Sequence, residues 1–492
     1  IGIHNGIITN DLLLFKKHKL QKVFDVDTEV VLSLFRKFLV QKKDLALACQ
    51  ATFKEIEGAA SIGFIFDDLD ILLLATNTGS TYYTTTDNLF IFASERYFLE
   101  KLIPKSFKTE QLKPNTGLIV NLKTLEKQFF LFKKPTKILP HYLDKKKKIK
   151  DLSNYQPKPA KSLNNSYKIP TDILENVKKS LKIINSLKRC TKCLLPETMP
   201  FILFDEKGVC NYCYHYNRLT YRGEEVLLSV LEKYRKPLGQ PDCIVAFSGG
   251  RDSSFTLHYI KNELKMNPIA VSYDWGMITD LGRRNQARMT GALGVEHILV
   301  SADIQKKRVN IRRNVEAWLK SPRLGTIPLF MAGDKQYFYY VNKIKRLNNI
   351  DLVIMGENHY EKTMFKNGFA GIKQQSSGSM AYNVSMIGKL KMLKYYAGQY
   401  IKNPSYINSS ILDTMGAFVS FFVIPHKYEN LFDYIRWDEK IVSETLINNY
   451  GWELAKDTKT TWRIGDGTTP FYNYIYLMMA GFTENDTFRS NQ

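Results

Sequence analysis

The feature that most constrains this chain is a short apolar strand that runs directly into a Gly- and Ser-rich turn. Residues 244–254 read Ile-Val-Ala-Phe-Ser-Gly-Gly-Arg-Asp-Ser-Ser, and a helix is predicted over Ser253–Leu264. Two adjacent glycines let the backbone approach an anion closely, and the following helix N-terminus presents amides without intrahelical partners. The segment therefore predicts a phosphate-binding loop. It differs from the Walker loop, which ends in Gly-Lys-Ser or Gly-Lys-Thr.

Strands and helices alternate around this loop. Strands are predicted at Cys243–Phe247, Pro268–Tyr273, His297–Val300 and Leu352–Met355, and a helix is predicted at Arg283–Leu293. This alternation is typical of a doubly wound parallel sheet, so the fold class predicted for residues 221–492 is α/β.

The front of the chain follows another pattern. An amphipathic helix is predicted over Asp27–Phe38, and two strands, Ala60–Phe66 and Ile71–Ala75, flank a hairpin turn at Asp67 and Asp68. We expect residues 1–135 to form a smaller, layered α+β domain. Residues 136–187 then form a linker with a helix, because Pro, Lys, Asn and Ser dominate the first part of this range.

Four of the six cysteines form two C-x-x-C pairs within residues 188–220. Sixteen residues separate the pair Cys190 and Cys193 from the pair Cys210 and Cys213. Without a secretion signal, this pattern predicts a metal site rather than disulfides. Four thiolates suit a structural zinc ion, because they leave no coordination position open. An iron–sulfur cluster or a redox pair remains an alternative.

The positive charge of the chain is concentrated in one segment. The net charge is +22, and residues 101–190 carry 22 Lys or Arg and only six Asp or Glu, with a run at Lys145–Lys148. A solvated linker and a patch for an anionic partner both fit this run, and we favour the linker. No apolar run reaches the roughly 18 residues that a membrane span needs, and no signal peptide is present, so we expect a cytoplasmic protein.

Several strings resemble the N-acetyl sugar amidotransferase family. They are Cys190-Thr-Lys-Cys-Leu-Leu-Pro-Glu-Thr198, Ser248-Gly-Gly-Arg-Asp-Ser253, Asp274-Trp-Gly-Met-Ile-Thr-Asp280, Gly356-Glu-Asn358, Ile464-Gly-Asp-Gly-Thr468 and Glu484-Asn-Asp-Thr-Phe-Arg-Ser-Asn-Gln492. The phosphate loop itself is similar to that of ATP pyrophosphatases of the adenine-nucleotide α-hydrolase type. The resemblance covers about residues 190–492 and implies that the family pattern continues beyond Gln492.

The resemblance implies an ATP- and Mg²⁺-dependent enzyme of surface-polysaccharide biosynthesis. The enzyme would adenylate an oxygen of a nucleotide-linked N-acetyl sugar, and ammonia would then displace AMP to give an amide or an amidine. The ATP-binding residues would be Ser248, Gly249, Gly250, Asp252, Ser253, Ser254 and Asp274. Asp252 and Glu357 would be catalytic or bind magnesium. Weaker candidates for charge stabilisation are Asp334, Lys335, Lys366 and Lys373, each of which also fits a surface salt bridge.

The first 100 residues carry a second resemblance, to class II glutamine amidotransferase domains. It rests on Ile3-His-Asn-Gly-Ile-Ile-Thr-Asn10, Asp25-Val-Asp-Thr-Glu-Val30 and Glu57-Gly-Ala-Ala60. By that resemblance Asn5 and Gly6 form an oxyanion hole and Asp27 binds the α-ammonium group of glutamine. Fixed donors and a carboxylate suit those two roles. The nucleophilic N-terminal cysteine of such domains is missing. Either it lies upstream of Ile1, which we favour, or the domain is an inactive glutaminase.

Together the two resemblances predict an amidotransferase arranged in asparagine-synthetase-like order. Glutamine, or ammonia supplied by a separate glutaminase subunit, would provide the nitrogen. The alternatives are a tRNA-modifying thiolase, which also combines C-x-x-C pairs with such a loop, and an asparagine-synthetase-like ligase. A nucleic-acid partner is disfavoured by the glutaminase-like front. The identity of the sugar, the choice between amide and amidine, and the oligomeric state stay open.

Overall fold

A computed structural model describes residues 1–104, 106–134, 171–237, 239–361, 365–373, 384–456 and 465–492. The linker up to residue 170, including the lysine run at Lys145–Lys148, lies outside the described residues. The strands, in chain order, are β1 (Gly2–Ile8), β2 (Gly58–Phe66), β3 (Ile71–Thr76), β4 (Tyr82–Thr85), β5 (Phe90–Ala93), β6 (Glu110–Gln111), β7 (Thr116–Asn121), β8 (Lys127–Leu131), β9 (Cys243–Ala246), β10 (Pro268–Asp274), β11 (Glu296–Ser301), β12 (Leu352–Met355) and β13 (Glu429–Asn430).

The helices surround these strands in both halves of the chain. In chain order they are α1 (Asp11–His18), α2 (Thr28–Lys42), α3 (Leu45–Glu55), α4 (Arg96–Leu102), α5 (Thr171–Ser186), α6 (Asn211–Tyr214), α7 (Glu224–Leu231), α8 (Arg251–His258), α9 (Asp280–Leu293), α10 (Ile304–Lys320), α11 (Ile327–Phe330), α12 (Tyr337–Leu347), α13 (Phe365–Gly368), α14 (Met386–Lys402), α15 (Ile411–Phe418), α16 (Glu439–Tyr450), α17 (Thr469–Ala480) and α18 (Glu484–Asn491). No described helix is long and apolar enough to cross a membrane.

The front of the chain forms a layered α+β unit. Its antiparallel sheet has the order β1-β2-β3-β7-β8, and a small sheet has the order β5-β4-β6. Helices α2 and α3 bury Val31, Leu34 and Leu45 against one face of the larger sheet. The smaller sheet covers the other face, where Leu74 and Tyr83 share a core. The predicted hairpin is confirmed, because β2 and β3 pair antiparallel around the turn.

The second half contains a five-stranded parallel sheet in the order β11-β10-β9-β12-β13. Alternate residues of β9 enter different cores: Cys243 and Val245 pack with α8 and α16, whereas Ile244 packs with Val341 and Ile344 of α12. Helices therefore cover both faces of the sheet, and the predicted mixed α/β class with a parallel sheet is confirmed. The four predicted strands match β9–β12 to within about a residue at most ends.

The helix after the glycine-rich turn begins earlier than predicted, at Arg251 rather than Ser253. Gly250 is extended, with φ −74° and ψ 169°, and it serves as the N-cap. The helix then widens into a π-helical turn at Tyr259–Glu263. The early start places the side chains of Arg251 and Asp252 on the first helical turn instead of in the loop.

The two units share an interface along β2 and α9. A Cβ atom added at Gly291 would lie 2.1 Å from the carbonyl oxygen of Gly58, so the two backbones are in close contact. Nearby, the hydroxyl of Tyr82 donates to the Glu296 carboxylate at 2.5 Å. Burial raises the pKa of Glu296 to about 8.

Candidate functional site

The phosphate loop is shaped by its own serines. The Oγ atoms of Ser248 and Ser253 are 2.9 Å apart, and the Gly250 amide donates to Ser248 Oγ at 3.2 Å. Gly249 has φ +78°, and a Cβ atom there would lie 2.5 Å from the Gly282 carbonyl oxygen. Only glycine fits this combination of left-handed backbone and close approach. The loop thus has one defined shape, with the first turn of α8 directly behind it.

The loop opens into a cavity of about 510 Å³ at the carboxyl ends of β9, β10 and β12. This edge is where parallel α/β sheets bind their ligands. The cavity is lined by loop residues Ser248, Gly250, Arg251, Asp252 and Ser253; by apolar residues including Phe247, Trp275, Ile278, Phe338 and Met355; and by polar residues including Asp334, Lys335, Glu357, Glu361, Asp466 and Glu484. One side can therefore receive phosphates and another a flat apolar group.

A group of carboxylates and one lysine also lines the cavity and forms its charged wall. Lys335 Nζ lies 3.2 Å from Asp334 Oδ2. Burial alone would lower the pKa of Lys335, but the charges of Asp334, Glu357 and Asp466 outweigh it and raise that pKa. For the Asp466 carboxyl, burial acts in the opposite direction and raises the pKa. This carboxylate accepts hydrogen bonds from the amide and the hydroxyl of Thr468. The wall therefore holds both signs of charge, as a site for a metal–phosphate group requires.

Two lysines that the sequence suggests for charge stabilisation, Lys366 and Lys373, have partners outside the phosphate loop. Lys366 pairs with Glu484 of the cavity wall, and its ammonium lies 4.2 Å from the Tyr472 ring centroid. Lys373 lies over the ring of Phe201, at 5.8 Å, and does not line this cavity. Lys366 is thus near the site, and Lys373 is not part of it.

Asp252 is bound by neighbours within the protein. Its carboxylate accepts from Arg251 Nε at 2.8 Å and from the Trp437 indole at 2.9 Å. Arg251 is itself buried and also bonds Glu361 and Glu439. The geometry gives Asp252 the role of fixing the first turn of α8.

Asp274 and Ser254 point away from the cavity. The carboxylate of Asp274 accepts from the Gly276 amide at 2.8 Å and pairs with Arg283, which closes the turn after β10. The Ser254 hydroxyl is fully buried and has no hydrogen-bond partner within the described part of the chain. Neither side chain lines the cavity. Glu357 does line it, and its backbone is bound on both sides by the Asn430 amide group.

The four cysteines meet at one point. Their Sγ atoms all lie within 4.8 Å of one another, and three pairs are separated by 3.8 Å (Cys190–Cys213), 3.5 Å (Cys193–Cys210) and 3.7 Å (Cys210–Cys213). A tetrahedral zinc ion with Zn–S bonds of about 2.3 Å separates its sulfurs by about 3.8 Å. The cluster therefore fits a four-thiolate zinc ion. Among the described residues it is the one group of three or more such ligand atoms this close together.

The backbone around the cluster favours the thiolate of Cys190, whereas burial raises the pKa values of Cys193 and Cys213. The amides of Lys192, Cys193 and Cys210 lie 3.2–3.5 Å from Cys190 Sγ. Burial opposes ionisation, but these amides outweigh it and lower the pKa of Cys190 to about 6. The predicted turn between the pairs is present, because the Gly208 amide donates to the Asp205 carbonyl with Gly208 at φ +76°.

The glutaminase-like residues sit at a sheet edge. Asn5 and Gly6 are exposed on β1, and a Cβ atom at Gly6 would lie 1.9 Å from the Ala59 carbonyl oxygen. The carboxylate of Asp27 accepts from the Ile8 amide at 2.7 Å and lies 4.0 Å from the buried His4 ring. Asp27 therefore joins the start of α2 to β1, and its carboxylate already has a backbone donor.

The sequence gives no direct signal for three groups that the structure brings to the cavity. Arg251, Asp466 and Glu484 lie within motif strings, but no sequence pattern assigns any of them a role. Asp466 and Glu484 follow β12 by more than 100 residues. The glycines on either side of Asp466 are a local sequence signal for its position. Gly465 lies close to the loop, because a Cβ atom there would be 3.3 Å from the Ser248 carbonyl oxygen.

Comparisons with known proteins give limited likenesses. No family model matches the chain. The chain is similar to an uncharacterized protein of Methanocaldococcus jannaschii, with 26% identity over 123 residues, which are 23% of this chain and 43% of the relative. The match thus spans less than half of the curated relative's length.

Three solved structures show weak similarity. The glutamine phosphoribosylpyrophosphate amidotransferase from B. subtilis, complexed with ADP and GMP, is 16% identical over 27% of this chain and 29% of its own, with a TM-score of 0.23. The NH3-dependent NAD synthetase from Campylobacter jejuni, in complex with nitrate, is 17% identical. The match covers 41% of this chain and 96% of the synthetase, with a TM-score of 0.20. The NAD+ synthetase from Burkholderia pseudomallei is 12% identical. The match covers 46% of this chain and 84% of that synthetase, with a TM-score of 0.21. At these TM-scores the likenesses establish neither a shared fold nor an activity.

Proposed function

We propose that this protein is an ATP-dependent, AMP-forming carbon–nitrogen ligase that amidates a nucleotide-linked N-acetyl sugar for surface-polysaccharide synthesis in the cytoplasm. The observation that carries the proposal is the position of the phosphate loop. Residues Ser248–Ser253 open into a 510 Å³ cavity that is also lined by Asp334, Glu357 and Asp466 around Lys335. A phosphate cradle facing charged groups at a sheet's carboxyl edge suits transfer of a nucleotidyl group.

The first step forms an adenylate. The loop amides and the hydroxyls of Ser248 and Ser253 hold the β- and γ-phosphates, while Trp275, Phe338 and Met355 supply an apolar surface for the adenine. An oxygen of the sugar attacks the α-phosphorus, the bond to the bridging oxygen breaks, and pyrophosphate leaves. Mg²⁺ bound with ATP would neutralise phosphate charge. Glu357 and Asp334 are the carboxylates placed to hold it, which fits the habit of Mg²⁺ to use one or two carboxylates plus phosphate oxygens.

The second step replaces oxygen by nitrogen. Ammonia attacks the activated carbon, its surplus proton passes to a carboxylate of the wall, and AMP leaves with the former sugar oxygen. Lys335 stays protonated, because the surrounding carboxylates raise its pKa. Its ammonium can stabilise the negative charge that develops on the α-phosphate.

The remaining parts of the chain have supporting roles in this proposal. Residues 1–135 would release ammonia from glutamine, with Asn5 and Gly6 as oxyanion donors and Asp27 as the ammonium ligand, or a separate glutaminase subunit would do so. The four-cysteine segment, residues 188–220, would bind zinc as a structural staple. In a closed four-thiolate site each sulfur is a ligand, so none is left for sulfur transfer.

The test uses the purified chain with ATP, Mg²⁺ and ammonium chloride. UDP-linked N-acetyl sugars and uronates are supplied singly, and AMP release is measured together with product mass. We expect AMP with one sugar only, and a product in which nitrogen has replaced oxygen. Ser253→Ala should lower AMP release about tenfold or more by removing a loop donor. Ser229→Ala, on the outer face of α7, is the matched control and should leave it unchanged.

Other outcomes would assign other functions. AMP release with bulk tRNA and a sulfur donor, but with no sugar, would contradict the proposal in favour of a thiolase. Asparagine formed from aspartate would identify an asparagine-synthetase-like ligase instead. Absence of AMP with every substrate would remove the ligase class altogether.

A further inference from the structure

A helical hairpin far along the sequence carries many exposed apolar side chains. The hairpin consists of α14, a short connection, α15 and a π-helical turn at Val419–Val423. Its outward face carries ten large apolar side chains: Met386, Ile387, Leu390, Leu393, Ile401, Ile407, Leu412, Met415, Val419 and Val423. Leu412 is 81% exposed and Ile401 is 79% exposed. Globular proteins rarely expose so many large apolar groups together without a partner.

The opposite face of each helix accounts for the fold of the hairpin. Met392 is buried in a small core with Ile372, and Phe418 and Phe422 pack against that core. Lys389 turns inward, and its ammonium donates to the Phe422 carbonyl oxygen. With 3.6 residues per turn, the α-helices that bury these positions turn their exposed apolar residues, such as Leu390 and Leu412, away from the protein. The folded chain therefore leaves two parallel apolar stripes unpartnered within its described residues.

The charges around the stripes are almost all positive. Residues 384–427 contain five lysines and a single acidic residue, Asp413. Asp413 is turned inward to Lys307, Asn310 and Gln336. The exposed lysines of α14 are Lys391, Lys394 and Lys402, and α10 adds Arg313 and Lys320 at the connection between the hairpin helices, where they contact Ser409 and Ser405.

We infer that this hairpin face docks the protein on the surface of an anionic lipid membrane. Exposed apolar side chains enter the boundary between headgroups and acyl chains, and flanking lysines bind anionic headgroups. A second copy of the chain fits the face less well, because self-pairing would bring lysine rows together. A nucleic acid would use the cations but leave the apolar stripes exposed. The docking is peripheral, and it does not depend on the proposed ligase reaction.

The experiment is flotation of the whole chain with lipid vesicles. Neutral vesicles of phosphatidylcholine are compared with vesicles that contain about one third phosphatidylglycerol, at about 0.05 M and about 0.5 M salt, which differ several-fold in Debye length. We expect at least a fivefold larger bound fraction on the anionic vesicles at low salt. High salt should reduce binding without abolishing it, because the apolar part of the interaction persists.

Variants separate the two parts of the interaction. Leu412→Glu with Met415→Glu should lower binding about tenfold or more, since two exposed apolar anchors become anions. Lys391→Glu with Lys394→Glu should remove the preference for anionic vesicles. The matched control is Leu12→Glu with Leu13→Glu, at equally exposed positions on α1 (64% and 70%), and it should bind like the parent. Circular dichroism and thermal unfolding verify that every variant folds.

Three results would overturn the inference. The first is an absence of binding to anionic vesicles by the parent chain, and the second is an equal loss of binding in the α1 control. The third is a different occupant of the face. Light scattering that shows a dimer dispersed by Leu412→Glu would identify a second copy. Binding of bulk tRNA that depends on Lys391 and Lys394 but not on Leu412 would identify nucleic acid.

Discussion

The phosphate loop and the edge of the N-terminal sheet both carry a glycine that accepts no side chain, but the two regions differ in what surrounds that glycine. Gly249 lies between Ser248 and Gly250, which line the cavity together with the first turn of α8. Gly6 lies on an exposed edge strand, and the nearest carboxylate, Asp27, is bound to the Ile8 amide. The loop thus borders a cavity within this chain, whereas Gly6 lies against the backbone of β2 and Asp27 is held by a backbone amide.

The phosphate loop and the glutaminase-like residues differ in how far their geometry depends on tertiary structure. The residues of the loop are consecutive, so a strand followed by a helix is enough to orient them. Asn5 lies on β1, and Asp27 lies at the start of α2. Glutamine hydrolysis at these residues would also require a nucleophile, which is an N-terminal cysteine in the domains that they resemble. The same kind of substitution should therefore affect catalysis in one region and stability in the other.

The largest expected effect comes from Gly249→Ala. A methyl group at φ +78° and 2.5 Å from the Gly282 carbonyl oxygen would displace the loop from its productive shape. We expect AMP formation to fall about a thousandfold, which is roughly 4 kcal/mol of transition-state stabilisation. Single-turnover AMP release measures this. Gly398→Ala on α14, where a Cβ atom meets nothing within 4 Å, is the control and should keep full activity.

Gly6→Ala should affect stability rather than AMP formation. The added Cβ atom would lie 1.9 Å from the Ala59 carbonyl oxygen, so β1 must separate from β2. We expect the N-terminal unit to lose about 3 kcal/mol of unfolding free energy, as measured by urea denaturation. AMP release with free ammonia should stay within about twofold. Gly223→Ala, which has φ +90° but no neighbour within 4 Å, isolates the smaller cost of the backbone angle. A parallel loss of AMP release would show that the two regions work as one unit.

Glu296→Gln tests the boundary between the regions. Burial raises the folded pKa of Glu296 to about 8, above the unfolded value near 4.5. Between these pH values the unfolded chain releases a proton that the folded chain retains, so the unfolding free energy of the parent falls as pH rises. Gln keeps an acceptor for Tyr82 and removes this dependence. We expect the variant to be more stable than the parent by about 2 kcal/mol at pH 8 and nearly equal to it at pH 5. An unchanged pH slope in urea unfolding would contradict the prediction.

Glu453→Gln should give the smallest effect, with the opposite pH dependence. Hydrogen bonds from Arg284 and Arg288 on α9 lower the pKa of Glu453 to about 2. The stabilisation is complete above the unfolded value near 4.5 and is lost as pH falls toward 2. We expect the variant to lose about 1 kcal/mol at pH 7 and progressively less at lower pH. Unfolding curves at pH 7 and pH 3 measure the difference, and an equal loss at both values would exclude the ion pairs as its cause.

Much of the second half could be predicted because its signals are local. Apolar runs such as 243–246, bounded by Gly and Pro, form the parallel strands, and the alternation with helices indicates their topology. The four cysteines were also predictable as a group, since two short turns bring each pair together. Sγ separations of 3.5–3.8 Å agree with that prediction.

The sequence by itself determined the parallel α/β sheet, the strand–turn–helix shape of the phosphate loop and the cysteine cluster, because each has a local signal: alternating strands and helices, a Gly- and Ser-rich turn, and two C-x-x-C pairs. Only the tertiary structure decided that Asp252 bonds Arg251 and Trp437, that Asp274 closes a turn, and that Asp466 and Glu484 join the cavity wall. The direction of a polar side chain depends on which donors the packed chain places around it. Trp437 lies 185 positions from Asp252, and Asp466 and Glu484 follow β12 by more than 100 residues, so no local pattern encodes these contacts.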